Sequence, residues 1–155
     1  MTHDIRPIPP AERKRLAPLL ALYAAEMRQV FAGTAPATGE ASAALLEGDS
    51  HMVILGAHDG TDLVGFAIIH DQPEVVFARR CGALDDLFVA PTHRGRGIAR
   101  AMIEAATALG LARGWSHLRW IVPEGDVGAI ALYERIAERA DWRSYVIRLA
   151  PDASL

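Results

Sequence analysis

Six consecutive residues have the types and spacing of an anion-binding loop: Arg94, Gly95, Arg96, Gly97, Ile98 and Ala99. A helical pattern follows them, and the first amides of a helix have no partner inside it. Glycines lack the Cβ atoms that would block a close approach, while the helix dipole and the arginines favour negative charge. A pyrophosphate fits this description. The same residues are also typical of a tight turn between solvated arginines, so both interpretations stay open.

Two other phosphate-binding motifs do not match this segment. A Walker loop requires a Gly-Lys-Ser or Gly-Lys-Thr ending, which is absent here. The dinucleotide fingerprint requires a third small residue at the position of Arg100. A nucleotide fold of either kind is therefore not expected.

Hydrophobic spacing and turn residues predict the elements that must position this loop. Helices are predicted for residues 11 to about 30, 38–46, 98–114 and 126 to about 139. Strands are predicted for residues 3–6, 52–56, 63–69, 83–89, 117–122 and 143–149, and residues 71–80 fit either a loop or a strand. The last strand depends on the alternation of Tyr145, Ile147 and Leu149.

The order of these elements predicts a mixed α/β fold. The early strands should be antiparallel neighbours, because short turns connect them. The strand, loop, helix and strand around residues 94–99 resemble a βαβ unit, whose two strands can lie parallel. We therefore predict a single domain over residues 1–155, an α/β (mixed α+β) fold in which helices flank a twisted, mainly antiparallel sheet.

Composition limits the classes of protein to consider. With 51% hydrophobic and 23% charged residues, the chain can bury a sizeable core. Its net charge of −3 offers no broad basic field for nucleic acid, and the sequence shows no signal-peptide or membrane-spanning stretch.

Cys81 is the single cysteine, so we expect a buried structural thiol and a cytoplasmic location. No metal site is predicted, because the histidines form no ligand motif with one another: His51, His58, His70, His93 and His117.

Around the loop the sequence resembles the GNAT superfamily of acyltransferases, whose loop reads Arg or Gln, two residues, Gly, one residue, then Gly or Ala. Arg94, Gly97 and Ala99 match that loop. The resemblance extends through Asp85-Asp86-Leu87-Phe88-Val89-Ala90-Pro91 before the loop and Ala129-x-x-Leu132-Tyr133 after it, whereas the first half matches only in element order. It implies a GNAT-like fold, acetyl-CoA as co-substrate and direct transfer of the acetyl group to a primary amine.

The resemblance also implies roles for individual residues. The backbone of Leu87, Phe88 and Val89 would hold the pantetheine arm of the cofactor. Tyr133 would protonate the departing thiolate, since a phenol of pKa about 10 can donate to a thiolate whose thiol has a pKa of about 8.5 at modest cost. A buried core tyrosine is the alternative for Tyr133. Asp126 stands where the family often has Asn, and we assign it to the cofactor site as a helix cap.

Asp85 and Asp86 are consecutive carboxylates within an apolar strand. Their side chains should point to opposite faces unless a bulge intervenes, so at most one is expected at the centre of a pocket, and we favour Asp85. A carboxylate of pKa about 3.9 is a poor direct base for an ammonium near 10.4, which favours charge recognition and a water relay. The pair also resembles the Glu-Asp of polyamine-type acetyltransferases. A plain surface charge is the alternative.

Four further residues are candidates for the acceptor site. Tyr23 and Glu26 lie on the first helix, which in the family helps to wall that site, and an aromatic ring with a carboxylate can receive an ammonium group. Trp142 and Tyr145 can close the same pocket from the C-terminal side. Ordinary packing or solvation is the alternative for all four.

The expected partner is a small-molecule amine, with no nucleic acid and no membrane, and the resemblance allows a homodimer. Acetylation of a protein lysine or N-terminal amine is the alternative reaction. A coenzyme A-binding sensor without turnover is the alternative class, because Asp126 and Ala137 depart from the usual Asn and Gly of the family.

Overall fold

A five-stranded sheet in the order β1-β2-β3-β4-β5 forms the centre of the molecule. The computed structural model describes residues 3–30 and 38–149. The strands are β1 Asp4–Pro7, β2 Met52–Asp59, β3 Asp62–Glu74, β4 Arg79–Val89 and β5 Leu118–Arg119. Strands β1 to β4 are antiparallel neighbours, whereas β5 lies parallel to β4. This mixed, mainly antiparallel sheet confirms the predicted fold class.

Helices cover both faces of the sheet. They are α1 Ala17–Val30, which the 3-10 helix Pro10–Leu16 precedes, α2 Gly39–Leu46, α3 Ile98–Arg113 and α4 Val127–Ile136. Met102 of α3 joins one buried cluster with Ile69 and Leu84, while Leu16 joins a second cluster with Phe66. Adjacent residues of β3 enter different clusters because successive side chains of a strand point to opposite faces. Among the described residues, no helix combines the length and apolar character needed to cross a bilayer.

Three of the predicted helix boundaries are confirmed by their capping contacts. The Thr38 hydroxyl accepts a hydrogen bond from the amide of Ala41 (3.2 Å) at the start of α2. The Asp126 carboxylate accepts one from the amide of Ala129 (3.0 Å) at the start of α4. Gly114 ends α3 with a left-handed φ of 69°, a conformation that glycine adopts at little cost.

Trp115 anchors the end of α3 to β4. Its indole is 8% exposed and lies against the backbone of two glycines. A Cβ added at Gly82 would come within 2.3 Å of the ring, and one added at Gly110 within 2.7 Å. Both positions therefore need glycine, because the tryptophan ring occupies the space of a side chain.

The last predicted strand is wrong. Residues 143–149 form neither strand nor helix. Tyr145, Ile147 and Leu149 are 84%, 85% and 93% exposed. Their alternation creates an apolar face, but nothing in the described part of the chain covers that face, and a strand gains its stability from such neighbours.

Smaller differences concern the ends of other elements. The helix α4 ends at Ile136 rather than near residue 139, because Ala137 is already extended, with a φ of −142°. This extended end does not require the glycine that the family usually has there. The strand β5 contains only Leu118 and Arg119 instead of residues 117–122. Residues 71–80, which fitted loop or strand, belong largely to a long hairpin between β3 and β4.

Candidate active site

The predicted anion loop leads from β4 into α3. Gly95 and Gly97 have left-handed φ values of 75° and 81°, which other residues adopt only with strain. Gly97 is the N-cap of α3, no side chain of residues 3–30 or 38–149 caps this terminus, and the first turn carries no acidic residue. The free amides and the helix dipole therefore remain available to an external anion. Gly95 faces open space as far as the described residues show, since a Cβ added there would have none of their atoms within 4 Å.

Arg94 is oriented by three contacts beside this terminus. Its Nε donates to the carbonyl oxygen of Val89 (2.9 Å), and its guanidinium carbon lies 5.4 Å from the centre of the Phe88 ring. Its Nη2 donates to a carboxylate oxygen of Glu26 on α1 (2.6 Å). The carboxylate of Glu26 thus forms an ion pair with Arg94 beside the start of α3.

Arg96 differs from the rest of the predicted loop, since it is absent from the lining of the cleft that the other five residues border. Its guanidinium donates to the carbonyl oxygen of Thr92 (3.3 Å) and lies 3.9 Å from the carboxylate of Asp59. In this arrangement Arg96 contributes to the shape of the loop.

A cleft opens where β4 and β5 separate. The two strands pair at Gly82 with Leu118 and at Ala83 with Arg119, and no strand of the described chain pairs with this edge of β4 beyond Ala83. Residues 84–89 of β4 line one wall of the cleft, and residues 120–123 line the other. Leu87, Phe88 and Val89 therefore border the cleft along a strand edge that no other described strand covers, and an extended ligand can add to such an edge as a strand does.

A β-bulge decides how the two consecutive carboxylates are oriented. On β3, Ile68 pairs with Asp86 and Ile69 with Leu84, so Asp85 is the extra residue of β4. The side chain of Asp85 is 61% exposed, and its carboxylate lies 3.1 Å from Nε2 of His70. Both carboxylates border the cleft, but Asp85, which the sequence analysis favoured, is the more exposed of the two.

Asp86 is half-buried and forms a pair with Tyr23. The hydroxyl of Tyr23 donates to a carboxylate oxygen of Asp86 at 2.9 Å. Burial, and then the charge of Asp85, raise the pKa of Asp86, while the hydrogen bond from Tyr23 opposes this rise. Burial and then the negative charge of Asp86 raise the pKa of Tyr23, so its phenol stays protonated and keeps donating.

Tyr133 lies on α4 at the opposite wall of the same cleft. It is half-buried and makes an edge-to-face contact with Trp120, with ring centres 5.4 Å apart. Burial, followed by the charge of Asp126, raises the pKa of the Tyr133 phenol, which keeps it protonated. Tyr133 therefore packs against a neighbouring ring, as a core tyrosine would, and also borders the cleft.

The four acceptor-site candidates also border this cleft, but in different ways. Tyr23 and Glu26 project from α1, and each makes a hydrogen bond to a residue of β4 or of the loop after it. Trp142 and Tyr145 lie at the rim and are 89% and 84% exposed, so they form no packed wall.

Sequence reasoning missed two residues of the site. His70 was considered only as a possible metal ligand, and its contact with Asp85 depends on the bulge in the β3–β4 ladder. Trp120 falls within the strand predicted for residues 117–122. That strand follows the helix after the loop, so its side chains could have been considered for the cleft. The contact of Trp120 with Tyr133 depends on the packing of α4.

Several known proteins are similar to this chain. A streptothricin acetyltransferase from Streptomyces lavendulae is 32% identical over 108 residues, which are 70% of this chain and 54% of that protein. This chain thus spans about half the length of that relative. Among solved structures, a ribosomal-protein-alanine N-acetyltransferase from Brucella melitensis biovar Abortus 2308 is 36% identical, with a TM-score of 0.80 and coverage of 96% of this chain and 100% of the other. An aminoglycoside acetyltransferase from an uncultured soil metagenomic sample is 27% identical, with a TM-score of 0.77 and coverage of 97% and 100%.

One matched segment contains the loop, the residues that border the cleft on β4, and the tyrosines Tyr23 and Tyr133. The model of the Acetyltransferase (GNAT) family matches residues 16–137, which is more than half of the 155 residues. That segment includes Tyr23, Asp86, the loop after β4 and Tyr133. The chain therefore belongs to the acetyltransferase (GNAT) family.

Proposed function

We propose that this protein transfers an acetyl group from acetyl-CoA directly to a primary amine of a small molecule. The observation that carries the proposal is the uncapped N-terminus of α3, which opens onto a cleft bordered by both Asp86 and Tyr133. Two left-handed glycines shape the loop, so a pyrophosphate can approach the amides closely. Arg94, already in contact with a carboxylate, supplies a matching positive charge.

The edge of β4 would hold the pantetheine arm. Residues 84–89 border the cleft after β5 has separated, so their backbone groups can pair with an extended ligand as a strand would. The bound co-substrate supplies a thioester carbonyl, the carbon that the amine attacks. The residues of the chain would then supply a proton to the leaving sulfur and bind the amine.

Tyr133 would act as the acid. When the amine nitrogen forms its bond to the acetyl carbon, the carbon–sulfur bond breaks and the sulfur leaves as a thiolate. The phenol of Tyr133 donates its proton to that sulfur. A phenol is already protonated at neutral pH, and burial raises the pKa of Tyr133 further.

Asp86 would bind the positively charged amine of the acceptor. Its carboxylate is half-buried beside Tyr23, which holds one oxygen by a hydrogen bond of 2.9 Å. The proton that the amine loses passes through water to solvent, because a carboxylate is a poor direct base for an ammonium group of pKa about 10.4. Asp85 and Glu26 border the same cleft and add negative charge, which favours a cationic acceptor.

Similar proteins support an amine acceptor of this kind. The relatives include a streptothricin acetyltransferase and an aminoglycoside acetyltransferase, and their names refer to small molecules. A second candidate is the N-terminal amine of a protein, because the ribosomal-protein-alanine N-acetyltransferase is 36% identical over its whole chain. The rim residues Trp142 and Tyr145 are exposed, so a peptide can also reach the cleft.

Thiol release measured with a panel of acceptors tests the proposal. The panel contains acetyl-CoA with an aminoglycoside, with streptothricin, with a peptide that begins with alanine and with no amine. We expect the highest kcat/KM with a small cationic amine. Faster turnover of the peptide would favour the second candidate. Saturable binding of acetyl-CoA without any thiol release above the amine-free rate would make the protein a binding module instead.

A further inference from the structure

Three potential metal ligands meet at the end of the sheet away from the anion loop. The carboxylate of Glu74, the thiol of Cys81 and the imidazole of His117 each offer one ligand atom, and these atoms all lie within 4.8 Å of one another. The residues come from the end of β3, the start of β4 and the position just before β5.

The strand register explains why these side chains meet. Cys81 pairs with Gln72, and Glu74 lies two residues further along β3, so Glu74 and Cys81 share one face of the sheet. Gly82 pairs with Leu118 in the parallel ladder, which places Cys81 beside His117. The positions 74, 81 and 117 show no recognisable spacing in the sequence, which is why no metal site was expected from it.

We infer that Glu74, Cys81 and His117 form a binding site for a divalent zinc ion. Thiolate, imidazole and carboxylate are the ligands that Zn²⁺ takes in proteins, at about 2.3 Å from sulfur and about 2.0–2.2 Å from nitrogen or oxygen. Tetrahedral bonds of these lengths place the ligand atoms about 3.5 Å apart, so the side chains must close by no more than about 1.3 Å. The fourth position is left for water.

The charges of the three ligands balance the ion. A thiolate and a carboxylate together neutralise Zn²⁺, and the neutral imidazole adds no charge. A neutral complex is well suited to this position, because Cys81 is completely buried and the other two residues are half-buried. Cys81 would bind the ion as a thiolate, because metal ligands must be deprotonated, and binding would release the thiol proton.

Neighbouring groups orient two of the ligands. The hydroxyl of Ser116 lies 3.0 Å from Nδ1 of His117, and metal-binding histidines are commonly held by such a partner. The ring of Phe77 makes an edge contact with the same imidazole, with centres 6.3 Å apart. One oxygen of Glu74 accepts from the amide of Val76 (3.1 Å), which leaves the second oxygen for the ion.

The three ligands link three segments of the sheet outside the residues of the proposed reaction, so the bound ion would stabilise the sheet, even though a water in the fourth position is more typical of catalytic zinc. Strand β5 is attached to β4 by only two residue pairs before the strands separate. An ion bound by His117, Cys81 and Glu74 would tie the start of β5 to β4 and β3 at the closed end of the cleft. This inference does not depend on the transferase activity, and it concerns residues outside the proposed reaction.

Metal titration of the full chain, purified without a histidine tag and treated with a chelator, tests the site. We expect Zn²⁺ to bind with one ion per chain and to raise the thermal midpoint of unfolding. Co²⁺ should give an absorption band from sulfur-to-metal charge transfer, which Cys81, as the single cysteine, would supply. Ser116→Ala should weaken Zn²⁺ binding by about 10-fold, in the range for an outer partner.

Variants of the ligands and a matched control make the result decisive. Glu74→Gln and His117→Ala should each lose more affinity than Ser116→Ala, while both still bind acetyl-CoA if they remain folded. Cys81→Ala should lose the cobalt band. His51→Ala removes an exposed histidine outside the cluster and should change nothing. The inference is overturned if Zn²⁺ binds equally to the wild type, Glu74→Gln and His117→Ala, or if Co²⁺ shows no band from sulfur.

Discussion

Replacing Glu26 with glutamine should tighten the binding of acetyl-CoA, although it removes a residue of the proposed acceptor site. In the structure, the carboxylate of Glu26 accepts a hydrogen bond from Arg94 at 2.6 Å. A pyrophosphate at the start of α3 must compete with this carboxylate for the same guanidinium. Glutamine keeps the size and removes the charge, so Arg94 is released at lower cost.

The size of the effect follows from the exposure of the pair. The side chains of Arg94 and Glu26 are 45% and 44% exposed, so solvent screens their attraction strongly. Such pairs contribute about 0.2–1 kcal/mol. At about 1.4 kcal/mol per tenfold change, the dissociation constant for acetyl-CoA should fall by about 1.4- to 5-fold. The gain should shrink at high salt.

Isothermal titration calorimetry at low and high salt measures this change. Glu12→Gln is a matched control, because Glu12 pairs with Arg15 at 2.9 Å with similar exposures of 50% and 46%, outside the cleft. This control should leave acetyl-CoA binding unchanged. If Glu26→Gln binds acetyl-CoA as the wild type does, or more weakly, the competition between Glu26 and the pyrophosphate is not real. The same variant should show a higher KM for a cationic amine.

Three further outcomes are expected. Tyr133→Phe should lower kcat by about 100-fold and leave the Kd for acetyl-CoA nearly unchanged, and equal turnover would exclude Tyr133 as the acid. Gly97→Ala should raise the Kd for acetyl-CoA by about 10-fold or more, as expected for losing a charge-assisted hydrogen bond. Its control is Gly48→Ala, at another left-handed glycine (φ 84°), which should cost similar stability without changing the Kd. Burial raises the pKa of Asp86 above 3.8, so the folded state binds this proton more tightly and loses stability as the pH rises through the raised pKa. As the pH rises from 3.8 through the raised pKa, the free energy of unfolding of Asp86→Asn should therefore increase relative to that of the wild type. Urea unfolding at several pH values measures this difference, and a difference that does not change with pH would contradict the argument.

Local chemistry in the sequence predicts the glycine loop after β4 and several helix ends well. The glycines at 95 and 97 and the helix after them are recognisable because backbone conformation and helix termini depend on nearby residues. The caps at Thr38 and Asp126 and the stop at Gly114 are local for the same reason.

Contacts between segments that are distant in the chain cannot be predicted from such local patterns. Arg13 is 3% exposed and donates to the carbonyl oxygens of Leu46, Asp49 and Met52 at 2.6–2.9 Å. In the sequence it is simply one residue of a charged helical turn. The stretch from the end of α2 to the start of β2 must be placed against Arg13 before these partners exist.

The orientation of the carboxylates shows a second limit. Without the bulge, Asp85 and Asp86 are equivalent in the sequence, and the preference for Asp85 had no packing argument behind it. The bulge leaves Asp85 exposed and gives Asp86 a hydrogen bond from Tyr23, which lies 63 positions away in the chain. The failed strand at residues 143–149 has a related cause, because a period of two describes a face and not the neighbour that must cover it.

The three tryptophans of the chain lie at three different depths. Trp115 is buried against glycine backbone, Trp142 is 89% exposed, and Trp120 is half-buried in the wall of the cleft. Indole emission shifts to longer wavelength as the ring becomes more hydrated, so each ring should emit in its own part of the spectrum. Ligand entry between β4 and β5 should then alter the intermediate component, while an added quencher in solution suppresses that of Trp142. The protein thus contains an intrinsic optical probe of its own cleft, and no label is needed.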